Sequence, residues 1–162
     1  MSTKPVILVT GATGAEGASI VKHLLKQDKF AVRALTRNPF SVSARYLAAI
    51  GASIVEGNLN DVNSLKKAMD GCYGVYGFSD FRTDAELEYD HGMNLLKAVS
   101  KSNIQHFVLS TLPNVSRISK GRSTPILHSF RSRPNDSSSS LIRSIQRVRA
   151  SDMPTTKTAT PS

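Results

Sequence analysis

The chain opens with Pro5 to Thr10 (PVILVT), a short β-branched apolar run of the kind a strand shows when both its faces are buried in a parallel sheet. From Glu16 to Asp28, apolar side chains fall at Ile20, Val21, Leu24 and Leu25, one stripe at helical spacing. The alternation then repeats as strand Phe30 to Leu35, helix Ser43 to Ile50, strand Ser53 to Val55, helix Asp61 to Met69, strand Gly74 to Phe78, helix Asp84 to Ser100 and strand His106 to Leu109. Strands separated by helical patterns of about 10 to 15 residues predict right-handed βαβ crossovers. The expected class is therefore α/β, a doubly wound parallel sheet of about five strands. Local punctuation agrees: Asp61 stands where an N-cap belongs with Ser64 in a polar first turn, Gly51 and Gly71 follow helical runs as C′ residues, and Asn38-Pro39 ends the second strand.

After Pro113 the pattern collapses. Residues 113–162 hold 12 Ser, and Pro125, Pro134, Pro154 and Pro161 break helical windows. Only Leu141 to Val148 (LIRSIQRV) suggests a short amphipathic helix, and the closing TTKTATPS reads as disordered. Two regions are expected: a dinucleotide-binding domain over 1–120 and a basic, Ser/Arg-rich, disordered tail over 121–162.

The formal charge of +9 belongs to that tail. Residues 1–112 carry 12 Lys/Arg against 10 Asp/Glu, a net of +2, whereas 113–162 carry 9 against 2, a net of +7. The domain itself is thus not read as a specific nucleic-acid binder. Apolar runs such as Val6 to Val9 and Phe107 to Leu109 fall far short of the roughly 20 residues a bilayer span needs. The start, MSTKPVILVT, enters a strand pattern at once, with no signal- or transit-peptide features. A soluble protein of the cytoplasm or nucleus is the expectation. The single cysteine, Cys72, is read as a small core residue.

Chemistry concentrates in the turn between the first strand and the first helix, VTGATGAEG. Gly11 takes the tight turn, Gly14 lets backbone N–H groups approach a pyrophosphate, and Gly17 lets the helix pack on the strand, so the helix N-terminus faces an anion. The spacing is G-x-x-G-x-x-G, one residue longer at the first interval than the usual fingerprint, but the strand before and helix after supply the required context. Gly11, Thr13, Gly14, Ala15, Glu16 and Gly17 are candidate cofactor contacts. At the end of the second strand stands Leu35-Thr36-Arg37, with no acid to grip a ribose 2′-OH. Arg37 can instead pair with a 2′-phosphate, with Arg33, Thr36 and Asn38 as helpers, which favours NADP (NADPH) over NAD. Later strand ends add Asn58 and Leu59 at the adenine, Phe78, Ser79 and Asp80 on the ribose side, and Ser110 and Thr111 near the nicotinamide.

GATGAEG, VRALTRNP, Gly57-Asn58-Leu59-Asn60-Asp61, GVYGFSDF and HFVLSTLPNVS fall in order at successive strand ends, and together they resemble the NmrA-like group of atypical short-chain dehydrogenase/reductases. Isoflavone-reductase-like enzymes share the plan. The resemblance implies a Rossmann domain followed by a smaller substrate- or partner-binding region, in proteins that sense NAD(P) state or restrain transcription factors, with nitrogen metabolite repression the eponymous role. Two departures stand out. Asn58 replaces the Asp common in the family's G-D-L stretch, which alters the contact to the adenine amino group. Pro125 to Asp136 (PILHSFRSRPND) keeps only an echo of the family's continuation, with no Lys near His128. A truncated or misspliced product diverging near Gly121 is one reading; a natural short form with a basic tail is the other.

No catalytic residue is assigned. Classical reductases of this superfamily pair a proton-donating Tyr with a Lys four residues on, but Tyr46, Tyr73, Tyr76 and Tyr89 are followed by Ile50, Gly77, Asp80 and Met93. Ser110 reads as a strand-end hydrogen-bonding residue, His23 as a helix-boundary residue, and His91, His106 and His128 show no metal-ligand spacing. The leading expectation is a nonenzymatic NAD(P)-binding regulator with a protein partner such as a transcription factor. An NADPH-dependent oxidoreductase and an inactive fragment with an unprotected fifth strand are the alternatives.

Overall fold

The computed structural model describes residues 4–78, 85–110 and 146–148. Five parallel strands, β1 (Val6–Val9), β2 (Ala31–Thr36), β3 (Ser53–Glu56), β4 (Gly74–Phe78) and β5 (His106–Ser110), alternate with α1 (Ala15–Lys26), α2 (Val42–Ala49), α3 (Val62–Met69) and α4 (Ala85–Ser100). A short β6 (Gln146–Val148) completes a sheet of order β3-β2-β1-β4-β5-β6. The chain runs outward from β1 to β2 and β3, then returns to add β4 and β5 on the other side. This reversal opens a crevice at the carboxyl ends of β1 and β4, where Val9 lies beside Tyr76.

The period of two along β1 divides the core. Leu8 joins Leu65, Met69, Leu95, Val99 and Phe107 on the α3–α4 face, whereas Ile7 and Val9 join Val21, Val32 and Leu47 on the α1–α2 face. Cys72 is buried on the first of these faces, and burial raises its thiol pKa, against the lowering effect of Arg33 and with a smaller push from Asp70. A protonated, buried thiol is the small core residue expected of it. Along β5, Phe107 and Leu109 are buried while His106, Val108 and Ser110 on the opposite face are only half-buried.

Helix starts are fixed by side chains. Asp61 accepts a hydrogen bond from Asn63 N at 2.9 Å, as its N-cap position predicts. The second helix starts a residue earlier than its apolar pattern suggests because Ser41 caps it, Oγ accepting from Ala44 N at 3.2 Å. Gly51 and Gly71 close α2 and α3 with positive φ.

One expectation is corrected. Within Leu141 to Val148, expected to be helical, residues 146–148 instead pair antiparallel with β5, setting Val148 beside Phe107 and Gln146 beside Leu109. A helix of eight residues is marginal in water, whereas the outer edge of β5 offers a row of unpaired backbone groups. Over those residues the fifth strand is therefore not an open edge. Among the described residues no helix is long and apolar enough to cross a membrane.

Truncating the fully buried Leu65 to Ala should cost about 2–5 kcal/mol in urea unfolding, whereas Asp61→Ala should cost about 1 kcal/mol. Equal losses for the two would mean that the α3 cap contributes as much to this face as the core beneath it.

Candidate functional site

The carboxyl end of β1 is tied to β4 before the chain turns. Thr10 is fully buried, and its Oγ1 both donates to the Phe78 carbonyl and accepts from the Phe78 N–H, each at 2.8 Å. Gly11 follows with φ +59°, and a Cβ there would stand 2.7 Å from Phe78 Cδ1. Gly14 N donates to Gly11 O at 3.0 Å, closing the turn, and Ala18 N donates to Gly14 O at 2.9 Å, starting the helix. A Cβ on Gly17 would lie 2.2 Å from Gly11 O, so the helix touches the turn backbone to backbone. Gly14 is the N-cap of α1 and supplies no side-chain cap, while Thr13, Gly14, Ala15 and Glu16 are exposed. The first-turn N–H groups thus face the crevice without a capping side chain, and the helix dipole adds to their attraction for an anion. A pyrophosphate fits this cradle.

A second cluster forms beyond β2 and β3. Arg37 is exposed at the rim of a cleft of about 490 Å³ shared with Glu56, Asn58, Asp61 and Lys67. Arg37 and Lys67 bring two cations to the cleft and Glu56 and Asp61 two carboxylates, with Lys67 an addition that sequence spacing does not suggest. Glu56, placed beside Thr36 by the β2–β3 register, brings a carboxylate to the end of β2 from the neighbouring strand. The helper roles expected of three residues are corrected. Arg33 donates through Nη1 to the carbonyls of Ala68 at 2.8 Å and Asp70 at 2.7 Å, neutralising the C-terminal end of α3. Thr36 is buried and its Oγ1 accepts from Asn38 N at 3.2 Å, while Asn38 Oδ1 accepts from Phe40 N at 3.0 Å. These two side chains shape the loop that carries Arg37.

Asn58 is exposed, its N–H donating to Ser64 Oγ at 3.1 Å and its Oδ1 accepting from Asn60 N at 3.0 Å. Leu59 packs its side chain against the α3–α4 core. Helix α4 holds this loop: Asn94 Nδ2 donates to Leu59 O at 3.0 Å, and His91 Nε2 lies 2.9 Å from Asn60 Oδ1. Burial lowers the His91 pKa, the Arg37 charge lowers it further, and Asp90 acts the other way. Sequence spacing does not point to His91 and Asn94 as the holders of this loop, although their i, i+3 separation sets them on one helix face.

The third cluster links distant segments. Glu16 Oε1 accepts from Tyr76 Oη at 2.9 Å and from Ser110 Oγ at 2.7 Å, joining the glycine turn to β4 and β5. Burial raises the Tyr76 pKa, a hydrogen bond with Ser110 lowers it, and the Glu16 carboxylate raises it. The structure thus brings together two expected site residues, Glu16 and Ser110, around Tyr76, a tyrosine with no Lys four positions on. Ser79, Asp80 and Thr111 lie outside the described residues. Among the described residues no group of three His, Cys, Asp or Glu side chains is arranged to hold a metal ion.

A model of the NmrA-like family matches residues 3–133. An NmrA-like family domain-containing oxidoreductase from Aspergillus hancockii is 37% identical over 126 residues, 75% of this chain and 38% of that protein. Among solved structures, the triphenylmethane reductase of Citrobacter sp. complexed with NADP(H) is 32% identical with a TM-score of 0.57, covering 64% of this chain and 36% of that one. The NADPH-dependent quinone oxidoreductase of Escherichia coli, complexed with NADPH, is 25% identical with a TM-score of 0.56, covering 65% and 36%. The chain therefore spans less than half the length of each.

The Tyr76 phenol should ionise above the ordinary value of about 10, followed by its absorbance near 295 nm. Because the folded pKa is raised, this group's stabilising contribution is present below about pH 10 and is lost as pH climbs through the folded value. In Glu16→Gln the phenol should titrate lower than in the parent yet still above its ordinary value, since burial is the larger cause. A titration unmoved by the substitution would separate Glu16 from Tyr76 in solution.

Proposed function

This chain belongs to the NmrA-like family of NAD(P)-binding oxidoreductases, and from that premise we propose that it binds NADP(H) and acts as a regulatory protein responsive to that dinucleotide. The observation that carries the binding is the uncapped α1 N-terminus, brought against β1 by Gly17 and open to the crevice. The backbone N–H groups of the glycine turn hold the pyrophosphate, and Arg37 with Lys67 holds the 2′-phosphate. The NADP(H) in the Citrobacter reductase and the NADPH in the Escherichia coli oxidoreductase support the choice of cofactor. Glu56 beside Thr36 leaves a weaker NAD complex open, through its carboxylate and a ribose hydroxyl.

What favours regulation over turnover is the state of Tyr76. Its hydroxyl is engaged by Glu16, its pKa is raised, and Asp80, not Lys, stands four positions on. Bound NADPH supplies a hydride equivalent, but a reductase also needs a proton donor poised at the substrate. In this reading the protein's output is a change in affinity for a protein partner, such as a transcription factor, when the dinucleotide binds. A second reading, an NADPH-dependent reductase, is favoured by the oxidoreductase named in Aspergillus hancockii and by the two reductase structures. Under it, Ser110 at the end of β5 polarises the substrate carbonyl.

Calorimetric titration of the full chain with NADPH, NADP⁺, NADH and NAD⁺ tests the binding. Arg37→Ala should weaken the two phosphorylated forms about tenfold to a hundredfold, the loss of a charge-assisted pair of roughly 1.5–3 kcal/mol. It should leave the other two within about twofold. Absence of heat from a cooperatively melting sample would remove the cofactor assignment. Steady NADPH oxidation at 340 nm with a quinone or a triphenylmethane dye would replace the regulatory reading with the reductase.

A further inference from the structure

Helix α2 is apolar on both sides. Ala44 and Leu47 bury its inner face against the sheet, which is what an eight-residue surface helix requires. The outer face should then be polar. Instead it carries Val42, Tyr46 and Ile50 at i, i+4 and i+8, with Ala49 between them and Phe40 just before the helix. Phe40 is 84% exposed, Val42 78% and Tyr46 50%, so the stripe is open to solvent along about 12 Å of helix. None of these residues lines the cleft that holds Arg37.

The charges around the stripe have one sign. Lys22 of α1 places its Nζ 5.0 Å from the centroid of the Tyr46 ring, and Arg45 is exposed on the same outer face. No Asp or Glu occurs between Asp28 and Glu56. The two nearest acids in α1 and its following turn are already engaged, Glu16 by Tyr76 and Ser110 and Asp28 by Lys4. A twofold contact between two such stripes would bring Lys22 and Arg45 of each copy into one seam with the same cations of the other, a like-charge juxtaposition that disfavours self-association. The stripe is one helix wide, whereas anchoring at a bilayer scales with a larger buried apolar area.

We infer that the outer face of α2, with Lys22 of α1, is a docking site for an acidic amphipathic helix of another protein. Leucine-like side chains of that helix pack between Val42, Tyr46 and Ile50, and its carboxylates meet Lys22 and Arg45. The inference is independent of the dinucleotide, because it uses no residue of the glycine turn or the Arg37 cleft.

The test uses the full chain without nucleotide and a fluorescein-labelled helical peptide carrying Leu at i, i+3, i+4 and i+7 and Glu elsewhere. Fluorescence anisotropy should show saturable binding. Val42→Ser/Tyr46→Ser, which leaves the charge unchanged, should weaken it at least about tenfold, and Lys22→Glu/Arg45→Glu should do the same. A peptide with Lys replacing Glu should bind the parent at least about tenfold more weakly. Both double variants change exposed residues, and cooperative melting of each confirms that it is folded. No binding by the folded parent would overturn the inference, as would binding that Val42→Ser/Tyr46→Ser leaves intact, which would be charge attraction alone. Dimerisation lost in the same variant would assign the stripe to a second copy. Stripe-dependent sedimentation with phosphatidylserine vesicles, without peptide binding, would assign it to a membrane surface.

Discussion

A side-chain carbon on residue 17 would sit 2.2 Å from the Gly11 carbonyl oxygen, so α1 reaches β1 at this angle only because that carbon is missing. The first helix is the reference for everything on its side of the sheet. Val21 packs beside Val9 and Val32, and the α1 N-terminus points into the crevice between β1 and β4. Moving the helix outward to make room for a methyl group would loosen that core and withdraw the N–H groups from the crevice together. The packing of α1 and the placement of its N-terminal N–H groups are one geometric requirement here.

The opposite face completes the frame. Leu8, Val75 and Phe107 project from three neighbouring strands onto α3 and α4, and Asn94 carries that rigidity outward by holding the carbonyl of Leu59. The loop after β3 is thereby fixed to a helix that follows it by some 25 residues. Arg33 does similar work below, fastening the end of α3 to β2. The rim around Arg37 is thus built on elements whose side chains are anchored in the core.

Alternation and helical period made the five parallel strands legible, because the apolar residues of β1 must serve two faces and those of each helix only one. The division of Leu8 from Ile7 and Val9 follows directly from that pattern. Boundaries were less legible where a polar side chain set them: Ser41 extends α2 by capping it before its apolar stripe begins. The glycine turn was readable because each glycine answers a local backbone demand. Contacts between strands were not. Glu56 reaches the end of β2 only through the β2–β3 register, and the Arg33 carbonyl contacts depend on how α3 lies across the sheet. The strand at 146–148 was hidden for the same reason, since its partner β5 is some 40 positions earlier.

The carboxylate of Glu16 joins groups 60 and 94 positions further along the chain. Loops of that length must close before either hydrogen bond can form, and each closure costs chain entropy that only the assembled strands offset. The backbone bonds that close the glycine turn, Gly14 N to Gly11 O and Ala18 N to Gly14 O, are local. Its side-chain latch waits for β4 and then β5. During synthesis, therefore, both hydroxyl contacts to Glu16 can be complete only once residue 110 has left the ribosome.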